Sequence, residues 1–530
     1  MSDSRFSRRY FFYGTLMAGA VPAGGFGSAP SLAALGFKSF NEKLNIAAIG
    51  AGLRAERILP GASASENIVA LCDVNEVKAA PVFGMYPKAT RYKDFRKMLD
   101  TEGKNIDAVM IATPDHLHAP TALYAMQHQK HVYCEKPLTR TVWEAQLLAD
   151  AAVKYKVATQ MGNQGFSHEG TKTACEIFWS GAIGEVREVH AWTGSGGQPN
   201  IPATGPEKQP VPPTLDWDRW QGPAAPHDFN QAIVIQWRAF LDFSTGGSLG
   251  DWLVHILGPA HLALQLDKAP LTSVECVAVE GKNSYTWPLR DHIVYEFPAR
   301  GNMPPVTIHA YQNMRGDFKN PEGMGPNEPL FPRANNLQAD KNRPFLGNDM
   351  VLVGDDVGVD GRPVRRSSAP AARGGAPGAE PGRGAVPPAG RGAVPSARGG
   401  SGGGSGAAER VPGEGAVFVG SNGYMATFQR GEGVWLLPAS RWAQYKLPPQ
   451  LLPRGVNHQQ DWVRACKGGA PGVSEFAVTT KYIEWLVLGA ISLRVPGKLL
   501  WDSKNMRFTN NEEANKYIKP FLRRGWEMKV

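Results

Sequence analysis

Cysteine is scarce in this chain. Cys72, Cys134, Cys175, Cys276 and Cys466 are odd in number, far apart and mostly set in apolar runs. That pattern excludes a disulfide framework and offers no metal-ligand spacing, so they read as buried thiols. The twelve histidines add no metal signature either: His116 and His118 are two apart, and His255 and His261 lack a cysteine or carboxylate set spaced as in zinc sites. No catalytic metal is expected. Beyond the N-terminal region no apolar run is long enough to span a membrane. A broad basic face is missing too. The formal net charge is +9, but residues 362–410 hold eight arginines against Glu380 and Glu409, giving +6, and residues 1–36 give +2, which leaves +1 for the rest. A near-neutral body argues against nucleic acid as a partner.

The two basic outliers have their own character. Residues 7–12 read SRRYFF, with the pair Arg8-Arg9, and an apolar, small-residue run follows. This resembles a twin-arginine export signal over residues 1–36, with cleavage sites up to about Ala34 and a periplasmic or otherwise exported product. The run is broken by Gly and Pro and falls short of the ~20 apolar residues a spanning helix needs, so no stable membrane insertion is expected after cleavage. Residues 362–410 are nearly all Ala, Gly, Pro, Arg and Ser, with no apolar residue larger than Val. Such a stretch cannot bury enough surface to offset its chain entropy, and it is expected to be a disordered insert.

What the chain does have begins at residues 44–73, where the apolar run LNIAAI ends in the turn GAG and a second run, NIVALC, ends in Asp73. This is the outline of a dinucleotide-binding βαβ unit. Gly50 lets the chain turn off the first strand, and Gly52 lets a pyrophosphate approach the amides of the next helix. Ala55 stands where the fingerprint wants a small residue for helix-strand packing. Asp73, 21 residues beyond Gly52, can accept both hydroxyls of an adenosine ribose and would repel a 2′-phosphate, which favours NAD over NADP. A chain of 530 residues also exceeds one domain of ~100–200 residues, so two or three units are expected.

Strands alternating with amphipathic helices continue to VATQMGN, which predicts a doubly wound parallel α/β sheet over residues 42–165. Ligands sit at the carboxyl ends of such strands, here TPDHLH at 113–118, Glu135-Lys136-Pro137 and Asn163-Gln164. From Val186 the pattern changes to hairpin-like strands, which predicts an α+β unit over 166–500 with an open, largely antiparallel sheet, the insert at 362–410 and a tail, 501–530, packing back on the body. A homo-oligomer through that sheet domain stays open. Residues 246–266 interrupt the strands at helical spacing, and on an α-helix Asp251 and His255, four apart, share a face.

The stretches ATPDHLHAPTAL, YCEKPLTRT, QMGNQG, LDWDRWQGPA and GGSLGDWLVHILGPA resemble the family named for glucose-fructose oxidoreductase, inositol dehydrogenase and MocA. The resemblance implies a Rossmann domain followed by an open sheet domain, and NAD as cofactor. It implies that Gly50, Gly52, Leu53, Arg54 and Asp73 meet the adenosine and pyrophosphate half, that Thr113, Pro114, Asp115 and His118 line its path, and that Glu135 and Asn163 flank the nicotinamide. Lys136 would stand between nicotinamide and substrate.

Alcohol oxidation needs a base, a cation near the developing alkoxide and a hydride acceptor. His255 suits the first role, with Asp251 orienting its ring, and Lys136 the second. Arg238, Trp252 and His255 are the candidate substrate contacts. The expected function is an exported, NAD-dependent oxidation of a sugar or polyol. The alternative is a glycosidase working by oxidation, elimination and addition around bound NAD; such relatives of this fold generally replace the lysine of Glu-Lys-Pro, which this chain keeps. A non-catalytic scaffold is disfavoured by the joint presence of Lys136, Asp251 and His255.

Overall fold

A computed structural model describes residues 38–194, 205–325, 328–331, 412–454 and 457–530. The signal-like residues 1–36 and the insert 362–410 lie outside the described residues. The first sheet comprises β1 (Asn45–Ile49), β2 (Asn67–Cys72), β3 (Thr90–Tyr92), β4 (Ala108–Ile111), β5 (His131–Glu135) and β6 (Thr159–Gly162). They run parallel in the order β3-β2-β1-β4-β5-β6. The central strands β1, β4 and β5 are buried almost throughout, because helices cover both faces of a parallel sheet. The chain enters the covering helix Val142–Tyr155 through a capping box, in which the Thr141 hydroxyl accepts from the Glu144 N–H and the Glu144 carboxylate accepts from the Thr141 N–H.

The second sheet has nine strands: β7 (Val186–Thr193), β8 (Ser273–Glu280), β9 (Arg290–Phe297), β10 (Val306–Gln312), β11 (Gly415–Gly420), β12 (Gly423–Phe428), β13 (Gly433–Leu437), β14 (Leu499–Asp502) and β15 (Arg507–Phe508). Its order is β13-β12-β11-β7-β10-β9-β8-β14-β15, antiparallel except for the parallel pair β7 and β10. Period-two burial, iBiBiBiB in β9, gives the sheet one face on the main core and one face away from it.

The two units share one core. The helix Phe476–Ser492 is apolar nearly all round, and it packs on Val142–Tyr155 of the first unit as well as on β8 and β9 of the second. The helix His458–Cys466 returns to the nucleotide-type domain, where Trp462 is fully buried against Tyr133. The C-terminal residues come back as well: the Arg96 guanidinium lies 4.0 Å from the Trp526 ring. Four of the five thiols are buried and all five are free, as their apolar settings predicted. Among the described residues no helix is long and apolar enough to cross a membrane.

Candidate active site

At the carboxyl ends of β1, β2, β4 and β5 a cleft of about 490 Å³ runs from Asp73 to Asp251 and His255. Its floor at one end is the turn after β1. Gly50 has φ +86°, and a Cβ there would fall 2.6 Å from the Ala112 carbonyl carbon, so only glycine lets β1 and β4 lie side by side at this turn. Gly52 caps the helix Leu53–Ser63 without any side-chain capping bond, and the space where its Cβ would stand is open. The helix N-terminus therefore presents bare amides to the cleft, the arrangement that receives a pyrophosphate. Ala55 is buried against the sheet, as the fingerprint requires. Asp73 accepts from the Asn75 N–H at 2.7 Å; burial pushes its pKa up to about 6 against the opposing pull of the Asn75, Ala51 and Val74 amides. Thr113 Oγ1, in the cleft wall, is buried with no hydrogen-bond partner among the described residues. An open cradle, a strand-end carboxylate and an orphaned hydroxyl along one cleft fit an NAD molecule, which the turn at Gly50 and Gly52, Leu53 and Asp73 would hold.

Arg54 reaches across the cleft to Glu135, Nη2 to Oε1 at 3.0 Å. Glu135 also accepts from Tyr133 and Gln164, each at 3.3 Å, so its carboxylate is held from three sides. Leu53, Pro114 and Asp115 line the same wall. Asp115 accepts from the Thr245 N–H at 3.1 Å, and burial pushes its pKa up to about 7, opposed by Arg238 and Lys136.

The reacting end is assembled from several distant segments. Lys136 Nζ donates to Asp251 Oδ1 at 2.7 Å and to the Asp251 carbonyl at 2.6 Å. Arg238 Nε contacts the same Oδ1 at 2.9 Å while its guanidinium lies 4.2 Å from the Trp237 ring. Burial alone would raise the Asp251 pKa, but Lys136 and Arg238 outweigh it and hold the carboxyl at about 2. For Lys136 the balance goes the other way: burial and the Arg238 charge lower its pKa despite Asp251. Trp252 lines the cleft with Arg430 5.5 Å from its ring.

Three expectations need correction. Asp251 does not orient His255. Residues Leu249–Leu253 form a π-helix, with the Gly250 N–H bonded to the Thr245 carbonyl five residues back at 2.8 Å, so the α-helical rule of four does not hold across the pair. Asn163, expected beside the nicotinamide, is fully buried behind His255 and takes that role instead: its Oδ1 lies 2.8 Å from His255 Nδ1. The Asn163 amide donates to the Val254 carbonyl at 2.7 Å, which turns Oδ1 toward the ring and makes Nδ1 the protonated nitrogen. Nε2 is then the lone-pair nitrogen, and burial with nearby Lys136 and Arg430 keeps the imidazole neutral by lowering its pKa far below the ordinary value. His118, expected to line the cofactor path, lies behind the wall: Nδ1 is 2.7 Å from the Pro137 carbonyl and Nε2 2.9 Å from the Thr113 carbonyl. Its ring stands between the loop that carries Lys136 and the loop after β4, and its one N–H donates to one of the two carbonyls.

Sequence reasoning missed Arg430, Trp220 and Trp526, which also line the cleft. They come from separate segments, and although Trp220 lies in the stretch LDWDRWQGPA, nothing in that stretch tells which of its side chains faces the cleft. The loop bearing Arg430 is pressed so closely on its neighbour that a Cβ at Gly165 would fall 2.4 Å from the Arg430 carbonyl oxygen.

Comparison with known proteins gives the same layout. Residues 44–163 match a family described as oxidoreductase, NAD-binding Rossmann fold, and residues 195–297 match the C-terminal alpha/beta domain of the same family. Inositol 2-dehydrogenase of Salmonella typhimurium is 30% identical over 125 residues, 23% of this chain and 37% of that protein. Levoglucosan dehydrogenase of Pseudarthrobacter phenanthrenivorans is 34% identical over 119 residues, 22% of this chain and 29% of that protein. Glycosyl hydrolase family 109 protein 2 of Bacteroides fragilis is 32% identical over 130 residues, 23% of this chain and 30% of that protein. The aligned stretches thus span less than half the length of these relatives. A solved inositol dehydrogenase homolog from Azotobacter vinelandii covers 87% of this chain and 98% of its own at 14% identity, with a TM-score of 0.47.

Proposed function

We propose that the chain, whose residues 44–163 and 195–297 match the two domains of the Gfo/Idh/MocA oxidoreductase family, works as a member of it and oxidises a hydroxyl group of a sugar or polyol. When bound, NAD supplies the hydride acceptor. The observation that carries the reading is the His255 imidazole, neutral and fixed with Nε2 as its basic nitrogen, in the same cleft as the Lys136 ammonium. Nε2 takes the hydroxyl proton, and Asn163 Oδ1 keeps its bond to Nδ1–H as the ring becomes cationic. Lys136 donates to the oxygen that gains negative charge, and Asp251 holds Lys136 protonated and aimed against the burial that lowers its pKa. Arg238 and Trp252 border the place where a polyhydroxylated ring would lie.

A preference for NAD over NADP is supported by the Asp73 carboxylate at the end of β2 in the cleft wall, whose charge would repel a 2′-phosphate. Export by the twin-arginine route is supported by Arg8-Arg9 and the small-residue run after them. Such export carries folded protein, so the cofactor is acquired before the membrane is crossed. Assembly of copies through the second sheet is checked by light scattering on the mature protein. The likeness to a glycosyl hydrolase supports a second reading that shares the first oxidation but ends in glycosidic cleavage; the retained Lys136 speaks for the dehydrogenase.

The test is to release and identify the nucleotide from purified protein, then to follow its reduction by free sugars, polyols and aryl glycosides. NAD(H) and reduction by free sugars are expected. NADP(H) as the dominant species would overturn the Asp73 argument. Release of the aryl group without net reduction would replace the dehydrogenase by the glycosidase, and a protein that takes neither nucleotide would end the enzyme reading.

A further inference from the structure

On the face of the second sheet turned away from the main core, Glu188 and His190 of β7 stand beside His309 of β10. The parallel register pairs His309 directly with His190, and the two rings stack with centroids 4.7 Å apart and planes 7° off parallel. Both rings aim Nε2 at one oxygen: Glu188 Oε1 lies 2.7 Å from His190 Nε2 and 3.4 Å from His309 Nε2. The other ring nitrogens are already engaged. His190 Nδ1 is 3.0 Å from the Tyr311 hydroxyl, and His309 Nδ1 is 3.0 Å from His292 Nε2.

We propose that Glu188, His190 and His309 bind one divalent transition-metal ion of the zinc class, outside the catalytic cleft and tying β7 to β10. The three ligand atoms lie within 4.8 Å of one another, so small turns of the side chains bring all of them onto one ion. For bonds of about 2.1 Å, tetrahedral ligand atoms stand ~3.4 Å apart. The His309 to Glu188 separation already has that length, and the His190 contact opens by a small rotation of the glutamate, which is 44% exposed at its side chain. That rotation costs little, because Glu188 is the most exposed of the three ligands; His309 is partly exposed, and His190 is buried with its ring held by its neighbours. Without an ion the Glu188 oxygen accepts from both imidazole N–H groups; an ion replaces those two protons, and the partly exposed His309 ring turns out of its stack on His190 to bring its lone pair onto it.

The surroundings fit as well. A metal-ligating histidine usually donates its other N–H to a neighbour, which fixes ring and tautomer. The Tyr311 hydroxyl can accept from Nδ1–H of His190, and His292 Nε2 from Nδ1–H of His309. Imidazole and carboxylate ligands suit zinc, cobalt and nickel better than the oxygen-seeking magnesium or calcium. Three protein ligands leave a fourth position, on the side where Glu188 meets solvent, for water or a further donor. Residue spacing could not reveal the cluster, because Glu188 and His190 lie more than a hundred residues from His309 and meet it only through strand pairing.

The experiment uses untagged, full-length protein stripped with a chelator and titrated with Co(II) alone and Zn(II) alone. Binding is followed by the visible absorption of bound cobalt, by metal stoichiometry and by thermal melting. One ion per chain is expected, with a rise in Tm. Glu188→Ala and His309→Gln should each lose stoichiometric binding and the Tm rise while keeping the metal-free Tm and the bound nucleotide. His292→Ala should weaken affinity by about 10- to 100-fold. Glu188→Ala is the safeguard, since removing a half-exposed side chain does not threaten the fold. Wild-type protein that takes up no cobalt or zinc, or binding unchanged in Glu188→Ala and His309→Gln, would overturn the proposal. So would binding abolished by His255→Ala alone, which would move the ion to the cleft.

Discussion

At the nucleotide end of the cleft, Gly50, Gly52 and Asp73 lie within one βαβ unit, whereas at the reacting end Lys136, Arg238, Asp251 and His255, with Asn163 behind His255, come from four segments of both domains. The first end is local backbone geometry: a left-handed glycine, an uncapped helix and a strand-end acid. The second is a set of side chains that hold one another, in which Asp251 serves two cations and Asn163 sets a tautomer. Backbone geometry is written in short motifs, while mutual support among side chains depends on which segments the fold brings together.

The largest effects should come from the reacting end. His255→Ala and Lys136→Ala are each expected to slow single-turnover hydride transfer by ~10²–10⁴ while bound nucleotide and fold persist. Stopped-flow absorbance at the reduced-nicotinamide band, with the nucleotide quantified separately, reads both. Near-wild-type transfer in either variant would place the proton path elsewhere.

The opposite pattern is expected at the other end. Gly50→Ala forces a side chain into a left-handed backbone position, which costs about 1–3 kcal/mol, and drives its Cβ into the Ala112 carbonyl. Protein purified from this variant should hold little nucleotide and melt earlier, with Lys136, Asp251 and His255 unaltered. Full nucleotide content in Gly50→Ala would show that the turn is not the anchor, and the contrast between the ends would collapse.

A smaller effect separates the two orienting residues. Asn163→Ala leaves either nitrogen of His255 free to carry the proton, so transfer should fall less than in His255→Ala and its pH profile should shift. The double variant Asn163→Ala, His255→Ala should be no slower than His255→Ala alone, because the pair acts as one unit. Asp251→Asn should act through Lys136 instead, and combine additively with Asn163→Ala. Coupling of Asp251 to His255 in the same cycle would restore the role expected from their spacing.

These pairs also mark where the sequence could be read. The parallel sheet, the glycine turn, Asp73 and Glu135-Lys136 follow from periodicities and motifs whose physics is local. The Asp251 to His255 pairing failed because a π-helical turn does not differ from an α-helix in apolar spacing. His118 escapes such a reading because a histidine at a strand end looks the same whether it faces the cleft or packs between two loops behind it. The return of His458–Cys466 to the first domain, and the cluster at Glu188, His190 and His309, rest on strand order and long-range packing, which no window of residues contains.

The smallest effect is invisible in activity and concerns an acid with none of the partners that the cleft gives its own. Asp291 of β9 is buried, and both its oxygens lack a hydrogen-bond partner among the described residues. Burial pushes its pKa up to about 8 from an ordinary value of 3.8. A carboxyl whose pKa is raised by folding contributes its full stability below the unfolded pKa and loses it as pH rises through the folded one. Between about pH 4 and pH 8 the unfolded chain releases this proton and the native state keeps it, so unfolding becomes easier by up to ~1.4 kcal/mol per pH unit. Asp251, held at about 2 by Lys136 and Arg238, has the opposite sign and acts only in acid. Asp291→Asn removes the titration while keeping the shape, so its thermal stability should decline less than that of the wild type from pH 5 to pH 8. The slope, not the absolute Tm, is the quantity to compare, because a buried amide without partners carries its own desolvation cost. Parallel slopes for the two proteins across that range would mean that Asp291 is ionised and paired in the native state, and that the second domain treats its buried acid as the cleft treats Asp251.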